Sequence, residues 1–195
     1  LYNGALAGVN LAGDRFFYPN PLESNGQHER SAWFGCACCP SNVCRFIPAI
    51  PGYIYSVTNK DLYVNLFASN NADIELGSRS VRIAQETNYP WEGKVTMIID
   101  PEKAGRFTVR VRIPGWARNE AIPGNLYSFA GQSEEKHKLI VNGAKIDAPI
   151  ENGYAVITRK WQAGDRIELD IPMPVRTVVA DEQVKEDEGK YAVQR

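Results

Sequence analysis

The chain has 195 residues, of which 44% are hydrophobic, and its formal net charge is -1 at pH 7. This length and hydrophobic content allow one large domain, or one domain and part of another, with a real core. The near-zero charge argues against electrostatic binding of nucleic acid, and no apolar run approaches the roughly 20 residues of a membrane-spanning helix, so we expect neither a nucleic-acid nor a membrane partner.

Neither end of the chain carries a natural boundary signal. It opens at Leu1, without a methionine and inside an apolar-rich segment, and it stops at Arg195, directly after the strand-like residues 191–193. We therefore expect a fragment of a longer protein. The absence of a signal peptide then leaves the compartment open between cytoplasmic and periplasmic or secreted, and the sequence carries no signal for the oligomeric state.

The first part of the chain combines helical and loop-like patterns. Residues 1–11 are rich in Leu and Ala, which predicts the end of a helix. Residues 15–18 predict a short strand, which Pro19 and Pro21 stop. The polar residues 23–32 then predict a loop.

A short helix is predicted next, from Pro40 to about Ile47. Pro40 suits the first helical position because its φ is fixed and its missing N–H would have had no helical partner. Cys39 is then the predicted N-cap. Pro48 and Pro51 are expected to end or kink this helix.

From Asp61 onward the hydrophobic pattern has a period of two. The clearest case is 107–113, where apolar residues alternate with Thr and Arg, as in an antiparallel strand with one buried face. Asn-Gly pairs at 142–143 and 152–153 predict two hairpins. About nine or ten short strands follow from this pattern, which predicts a mainly β fold: an antiparallel β-sandwich preceded by a short helical segment.

All four cysteines lie within nine positions, at Cys36, Cys38, Cys39 and Cys44. A disulfide framework would spread them along the chain, so clustering favours metal binding or catalysis; an oxidised local pair or buried free cysteines are the alternatives. At the start of the helix before Pro40, the helix dipole favours the thiolates of Cys38 and Cys39. We expect Cys36 to be structural and Cys44 to pack against the core.

Other residues are weaker candidates. The ionisable groups of the loop before the cysteines are Glu23, His28, Glu29 and Arg30. A solvated loop explains them, with His28 as the one candidate substrate contact. Trp33 and Phe34 either stack on a sugar ring or pack the loop. Trp161 is predicted to cap a sandwich edge, and Asp165 to be an ordinary outer-face charge.

Six motifs in order carry a family resemblance. They are LYNGALAG (1–8), FFYPNPLES (16–24), WFGCACCPSNVCRF (33–46), PGYIYSV (51–57), LYVNLF (62–67) and RIPGWA (112–117). Together they resemble the zinc-dependent β-L-arabinofuranosidases of glycoside hydrolase family 127, over nearly the whole chain. The resemblance implies that residues 1–60 are the last part of an (α/α)6 catalytic barrel carrying the Cys-Cys-Pro motif. Residues 61–195 would be the β-sandwich domain that follows it.

The resemblance also implies a chemistry. The family is thought to act as a retaining glycosidase whose nucleophile is the first cysteine of the adjacent pair, here Cys38. Cys39 would bind Zn²⁺, which is also held by Cys38 and by an upstream glutamate and cysteine, and a further upstream glutamate would be the general acid/base. The implied substrate is a carbohydrate, a β-linked L-arabinofuranoside of plant polysaccharides or glycoproteins.

The upstream site residues should precede Leu1. The chain therefore retains two of the four protein ligands, and zinc is expected in the full-length protein rather than in the isolated chain. Nothing in the sequence requires Cys36 or Cys44 to replace the missing ligands. We expect the isolated chain to be catalytically inactive. The alternative is a non-catalytic β-sandwich module that packs on a catalytic barrel or binds carbohydrate.

Overall fold

A computed structural model describes residues 6–19 and 24–194 and divides the chain into two compact units, of which the first ends at Tyr53 and the second begins at Ile54. The start of the predicted first helix, Pro21 and Glu23 lie outside the described residues. The predicted boundary after residue 60, as a boundary between domains of a longer protein, stays a prediction.

The described part of the first unit contains short helices and isolated bridges but no strand. A 3-10 helix covers Leu6–Gly8. In place of a strand over 15–18, Phe16 makes isolated bridges with Val9 and Ser31. The following Pro19 has no backbone N–H to extend such pairing. Two helices follow, α1 (Cys38–Ala49) and α2 (Pro51–Ile54).

Helix α1 begins two residues before the predicted start. Its first helical residue is Cys38, and the N-cap is Ala37 instead of Cys39. The first helical hydrogen bond runs from the Ser41 N–H to the Ala37 carbonyl, at 3.3 Å. Pro40 is therefore the third helical residue, where its missing N–H again costs nothing because the first N–H groups of a helix have no intrahelical acceptor.

Of the expected end or kink at Pro48, the end falls one residue later, because helix α1 continues past Pro48 to Ala49. Proline removes a single hydrogen bond, and here it does so in the last turn. The chain tightens just after it, where the Ile50 N–H donates to the Ile47 carbonyl at 3.2 Å. This three-residue spacing is the 3-10 pattern common at helix ends.

The described residues form fourteen strands. They are β1 (Tyr55–Val57), β2 (Asp61–Val64), β3 (Asn70–Leu76), β4 (Arg79–Thr87), β5 (Lys94–Pro101), β6 (Gly105–Arg112), β7 (Tyr127–Phe129), β8 (Lys138–Val141), β9 (Ala144–Ile146), β10 (Ile150–Glu151), β11 (Tyr154–Trp161), β12 (Asp165–Asp170), β13 (Arg176–Ala180) and β14 (Tyr191–Gln194). Two further 3-10 helices cover Gly115–Arg118 and Lys185–Asp187.

These strands form three sheets. The five-stranded sheet has the order β1-β2-β6-β11-β10, and the six-stranded sheet has the order β3-β4-β5-β12-β8-β9. A small sheet of order β14-β13-β7 lies apart from both. The pairings are antiparallel except that β2 lies parallel to β6, with Tyr63 opposite Arg110. The predicted mainly β fold with antiparallel sheets and a short helix is confirmed.

The core lies between the inward faces of the two large sheets. Alternate residues of their strands are buried, as the period of two predicts, and they form one hydrophobic cluster. Its largest fully buried side chain is Trp161, whose indole N–H donates to the Phe107 carbonyl at 3.1 Å. The prediction that Trp161 caps a sandwich edge is therefore wrong, because it lies on the inward side of β11.

Asp165 is a second correction. Its carboxylate is buried and is not an outer-face charge. It accepts hydrogen bonds from the Asn142 side-chain amide at 2.8 Å and from the Gln162 backbone N–H at 3.0 Å. These bonds explain its burial, because a buried carboxylate requires hydrogen-bond donors.

Among residues 6–19 and 24–194, no helix has both the length and the apolar character that crossing a bilayer requires.

Candidate active site

Two thiols lie side by side at the start of α1. Cys38 and Cys39 are its first two residues, and their Sγ atoms are 3.8 Å apart. The Ser41 hydroxyl donates to the Cys38 carbonyl at 3.1 Å, which secures the first turn. Cys38 is exposed and Cys39 is half-buried. An exposed sulfur with a second sulfur beside it can attack a substrate or bind a soft cation.

The start of α1 has no side-chain cap. Ala37 occupies the N-cap position and its methyl group cannot accept a hydrogen bond. The first N–H groups of a helix carry a partial positive charge, and here no side chain of the N-cap residue neutralises it. This electrostatic environment favours the thiolate at the exposed Cys38, whereas burial opposes it at Cys39.

Tyr18 lies beside the two cysteines. The Cys39 Sγ lies 3.6 Å from the Tyr18 carbonyl oxygen, and the Tyr18 ring meets the Phe34 ring edge-on at 5.6 Å between centroids. Sequence reasoning gave Tyr18 no role. The available signal was its position in the FFYPNPLES motif, but only folding reveals that this segment reaches the start of a helix twenty residues later.

The pKa of Cys38 is lowered, whereas the pKa values of Cys39 and Tyr18 are raised. Hydrogen bonds from Cys39, and next from Cys36, lower the pKa of Cys38. Burial raises the pKa of Cys39, and its hydrogen bond to Cys38 acts in the same direction. The pKa of Tyr18 is raised, chiefly by its hydrogen bond with Cys38. Cys38 is therefore the group that ionises first, with Cys39 and Tyr18 as its donors.

The loop before the cysteines is held by its own side chains. The Arg30 guanidinium donates to the Ala7 carbonyl at 2.8 Å and lies 4.2 Å from the centroid of the Phe17 ring. His28 stacks on the same ring at 4.7 Å, and its Nε2 is 3.2 Å from the Pro19 carbonyl. The contacts of His28 are thus with the segment that carries Tyr18.

No contact is recorded between Cys38 or Cys39 and the remaining candidates of the described chain, Cys44, Trp33 and Phe34. Cys44 is exposed, so the expectation that it packs against the core is wrong. It lies beyond the first turn of α1. Trp33 is 64% exposed within this chain, so its packing of the loop against the rest of the barrel stays a prediction, whereas the Phe34 ring contacts the Tyr18 ring.

The two sulfurs suit a zinc ion. Tetrahedral zinc with Zn–S bonds of about 2.3 Å places two sulfur ligands roughly 3.8 Å apart, and the Cys38 and Cys39 Sγ atoms are 3.8 Å apart. Within the described part of the chain, no group of three or more His, Cys, Asp or Glu side chains could hold a metal ion. Two sulfurs match two of the four ligands that a tetrahedral zinc site takes.

Two family models match the chain. Residues 61–173 match the middle domain of the GH127 β-L-arabinofuranosidases, and residues 1–52 match the catalytic domain of the same family. The middle-domain match covers most strands of the sandwich, and the catalytic-domain match covers the segment that carries the cysteines.

The relatives agree with these matches. A non-reducing end β-L-arabinofuranosidase of Bifidobacterium longum subsp. longum is 32% identical over 100% of this chain, which spans 29% of that protein. A solved GH127 β-arabinofuranosidase, BT3674, has a TM-score of 0.94 and 46% identity, and a GH127 β-L-arabinofuranosidase from Geobacillus stearothermophilus T6 has a TM-score of 0.85 and 40% identity. Each covers 100% of this chain, which spans 30% of each of those two.

Because the middle-domain model alone matches more than half of the chain, and a solved member of the family with the same fold is 46% identical, the chain belongs to the GH127 β-L-arabinofuranosidase family.

Proposed function

We propose that the full-length protein is a retaining glycoside hydrolase that releases L-arabinofuranose from β-L-arabinofuranosides, with Cys38 as nucleophile. The observation that carries this proposal is the pair of adjacent thiols at the uncapped start of α1, in a chain of this family. The names of the relatives support the substrate class, since two of them are called β-L-arabinofuranosidases. Arabinofuranosyl-bearing plant polysaccharides or glycoproteins are the proposed natural substrates.

The proposed reaction has two displacements. The Cys38 sulfur attacks the anomeric carbon, the bond from that carbon to the leaving oxygen breaks, and a general acid outside this chain gives that oxygen a proton. Water then attacks the same carbon, its proton passes to the same group, and the carbon–sulfur bond breaks. Two inversions give net retention.

We propose that Cys38 and Cys39 hold a zinc ion together with ligands from outside this chain. The ion, when bound, would keep the Cys38 sulfur ionised at neutral pH. The 3.8 Å separation of the two sulfurs supports this assignment. Cys39 would position Cys38, and Tyr18 would donate a hydrogen bond to the same sulfur in the free site.

The first test replaces the nucleophile in the full-length protein. Cys38→Ala should lower kcat by at least about 1,000-fold, because the covalent step loses its only nucleophile. Cys44→Ala is the matched control: it is an exposed cysteine of the same helix and should leave turnover unchanged. Full turnover by the Cys38→Ala protein would end the proposal.

Zinc binding has a separate readout. Elemental analysis of the full-length protein should find about one zinc per chain, reduced in Cys38→Ser and in Cys39→Ser and kept in Cys44→Ser. Equal zinc in all versions would remove Cys38 and Cys39 from the metal site.

The isolated chain should be inactive, because it would lack the acid/base group and two zinc ligands. Incubation with p-nitrophenyl β-L-arabinofuranoside should release no p-nitrophenol above background. Measurable release by the isolated chain would show that the 195 residues contain a complete site.

The outer face of the five-stranded sheet favours a second candidate function, an accessory carbohydrate-binding module. The Arg110 guanidinium is 2.9 Å from both Asp61 and Glu151, and the Tyr63 and Tyr154 rings meet edge-on at 5.3 Å. Aromatic rings beside positioned polar groups are a feature of ligand sites. Calorimetry with L-arabinofuranosyl oligosaccharides and residues 54–195 tests it: binding lost in Tyr63→Ala supports a module, and no heat excludes one.

A further inference from the structure

A small cavity lies between the sheet of order β14-β13-β7 and the 3-10 helix Gly115–Arg118. Its volume is about 20 Å³, which is room for one group about the size of a water molecule. Trp116 of that helix and Phe129 of β7 line it, together with Pro172 and Pro174 of the segment before β13. Much of the wall is therefore apolar, and the volume is too small for a sugar ring.

Arg176 of β13 brings a positive charge to this cavity. Its guanidinium carbon lies 3.4 Å from the centroid of the Phe129 ring. The same guanidinium donates to the Trp116 carbonyl at 3.4 Å and to the Gly131 carbonyl at 2.6 Å. A guanidinium has five N–H groups, so these two hydrogen bonds leave three of them without an acceptor in the described part of the chain.

Arg176 also lacks a counter-charge, since no carboxylate of residues 6–19 and 24–194 forms an ion pair with it. Four other arginines each lie within 3.0 Å of a carboxylate oxygen, namely Arg82, Arg110, Arg118 and Arg166. Arg176 is half-buried, and burial lowers its pKa. Because a guanidinium keeps its proton at physiological pH, this burial leaves a partly desolvated charge that a bound anion would stabilise.

Three neutral side chains of the same lining can donate hydrogen bonds. Ser133 has a hydroxyl, and Asn119 and Gln194 have amide groups. The Asn119 amide donates one N–H to the Ser133 carbonyl at 3.2 Å and keeps a second. Glu135 is the single carboxylate among the described residues of the lining. A desolvated cation beside neutral donors, with room for one atom, favours a small anion over a water molecule, because charge-assisted hydrogen bonds are the stronger ones.

We propose that this cavity binds one chloride ion, held by the Arg176 guanidinium. Asn119, Ser133 and Gln194 complete its hydrogen bonds. A monatomic anion suits the volume, whereas a phosphate or a sulfate is too large for it. The ion balances the charge of Arg176 and so stabilises the contact between the third sheet and the 3-10 helix Gly115–Arg118. All of these residues belong to the second unit, and the cysteine pair is not part of the site.

Bromide tests the site without any mutation, because it replaces chloride and scatters X-rays anomalously. Crystals of the full-length protein soaked in sodium bromide should show an anomalous peak in contact with the Arg176 guanidinium. A water molecule in the cavity would give no such peak and would overturn the proposal. A carboxylate in contact with this guanidinium, either that of Glu135 or one from outside this chain, would overturn it as well.

Thermal unfolding shows whether chloride binds in solution. The full-length protein should melt at least about 2 °C higher in about 0.3 M sodium chloride than in sodium gluconate of the same ionic strength, because a ligand that binds only the folded state stabilises it. Gluconate is too large for the cavity, and the matched ionic strength keeps screening of surface charges equal. Equal melting temperatures in the two salts, even with a bromide peak in the crystal, would mean an adventitious ion only and would overturn the proposal.

Substitutions assign the chloride effect to this cavity. Arg176→Gln should abolish the difference between the two salts, and a difference that survives in this variant would overturn the proposal. Arg159→Gln is the matched control and should keep the difference: Arg159 lies over an aromatic ring too, that of Trp161 at 5.3 Å, but it does not line this cavity. Glu135→Gln should enlarge the difference, because it removes a negative charge from the lining. Should Arg176→Gln not fold, the bromide peak and the salt comparison of the wild-type protein still decide the matter.

Discussion

At the scale of single residues, Asp165 illustrates how far a local pattern extends. It stands two positions before Ile167, which is fully buried on the inward side of β12. The period of two therefore places Asp165 on the inward side as well, and this signal was available in the sequence. What the sequence does not show is the Asn142 amide that makes the burial of this carboxylate tolerable, because Asn142 lies in another hairpin.

We expect Asp165→Ala to lower the free energy of unfolding by about 2–3 kcal/mol, because it leaves the Asn142 amide and the Gln162 N–H without their acceptor. Urea unfolding followed by tryptophan fluorescence measures this change. Glu168→Ala on the outer face of the same strand is the control, with a change within about 0.5 kcal/mol. Equal losses in both variants would mean that burial of Asp165 contributes nothing.

His137 gives a pH-dependent prediction. Burial lowers the pKa of His137, and Asp147 opposes this effect. The unfolded chain, with a pKa of about 6.5 for His, then takes up the proton first, so stability falls as the pH falls below that value. Between pH 7.5 and pH 5 we expect the wild-type chain to lose more unfolding free energy than His137→Gln does.

Asp147→Asn sharpens the same experiment. Removing the carboxylate that raises the pKa of His137 should lower this pKa further and enlarge the loss of stability in acid. Urea midpoints at several pH values, compared for the wild-type, His137→Gln and Asp147→Asn chains, provide the measurement. Parallel midpoint curves for the three chains would contradict the linkage.

At the scale of elements, the turns follow the sequence closely. The Asn-Gly pairs at 142–143 and 152–153 connect β8 to β9 and β10 to β11, as predicted. Asn142 and Gly143 have φ values of 52° and 79°, the left-handed backbone that a two-residue hairpin turn requires. The helix ends follow less closely, because Pro40 and Pro48 are both tolerated at positions where few hydrogen bonds depend on them.

We expect Gly143→Ala to destabilise the chain by about 1 kcal/mol, since an added Cβ disfavours a positive φ even where space is free. Gly131→Ala is the matched control: a Cβ there also meets no atom within 4 Å, and its φ is not positive. It should change stability by less than about 0.5 kcal/mol. Urea unfolding compares the two, and equal effects would show that backbone strain is not the cause.

At the scale of the whole molecule, the hydrophobic core lies entirely in the second unit. Among the described residues, the buried cluster falls between Leu62 and Ile171, and most of its members lie on strands of the two large sheets. The first unit carries the cysteine pair and exposes several large apolar side chains, among them Trp33 and Tyr53. The chain thus combines a sandwich with its own core and a short segment of a catalytic domain.

We therefore expect residues 54–195 to fold without the first unit, with a single cooperative urea transition and a β-type circular dichroism spectrum. Val109→Asp is the control, because it places a carboxylate at a fully buried position and should abolish the transition. A gradual, non-cooperative transition of the unmutated segment would show that the sandwich depends on residues before 54.

The amino-acid sequence was sufficient for most features that depend on near neighbours along the chain. Alternation of apolar and polar residues predicted the strands of the sandwich, although the buried sides of Trp161 and Asp165 were missed. Asn-Gly pairs predicted the hairpins, and six motifs taken together indicated the family. Folding was needed wherever distant segments meet: the parallel pairing of β2 with β6, the third sheet built from β7 and β13–β14, and Tyr18 beside Cys39. The physical reason is that periodicity and turn chemistry act over a few residues, whereas pairing partners are chosen by competition among all strands for burial and hydrogen bonds.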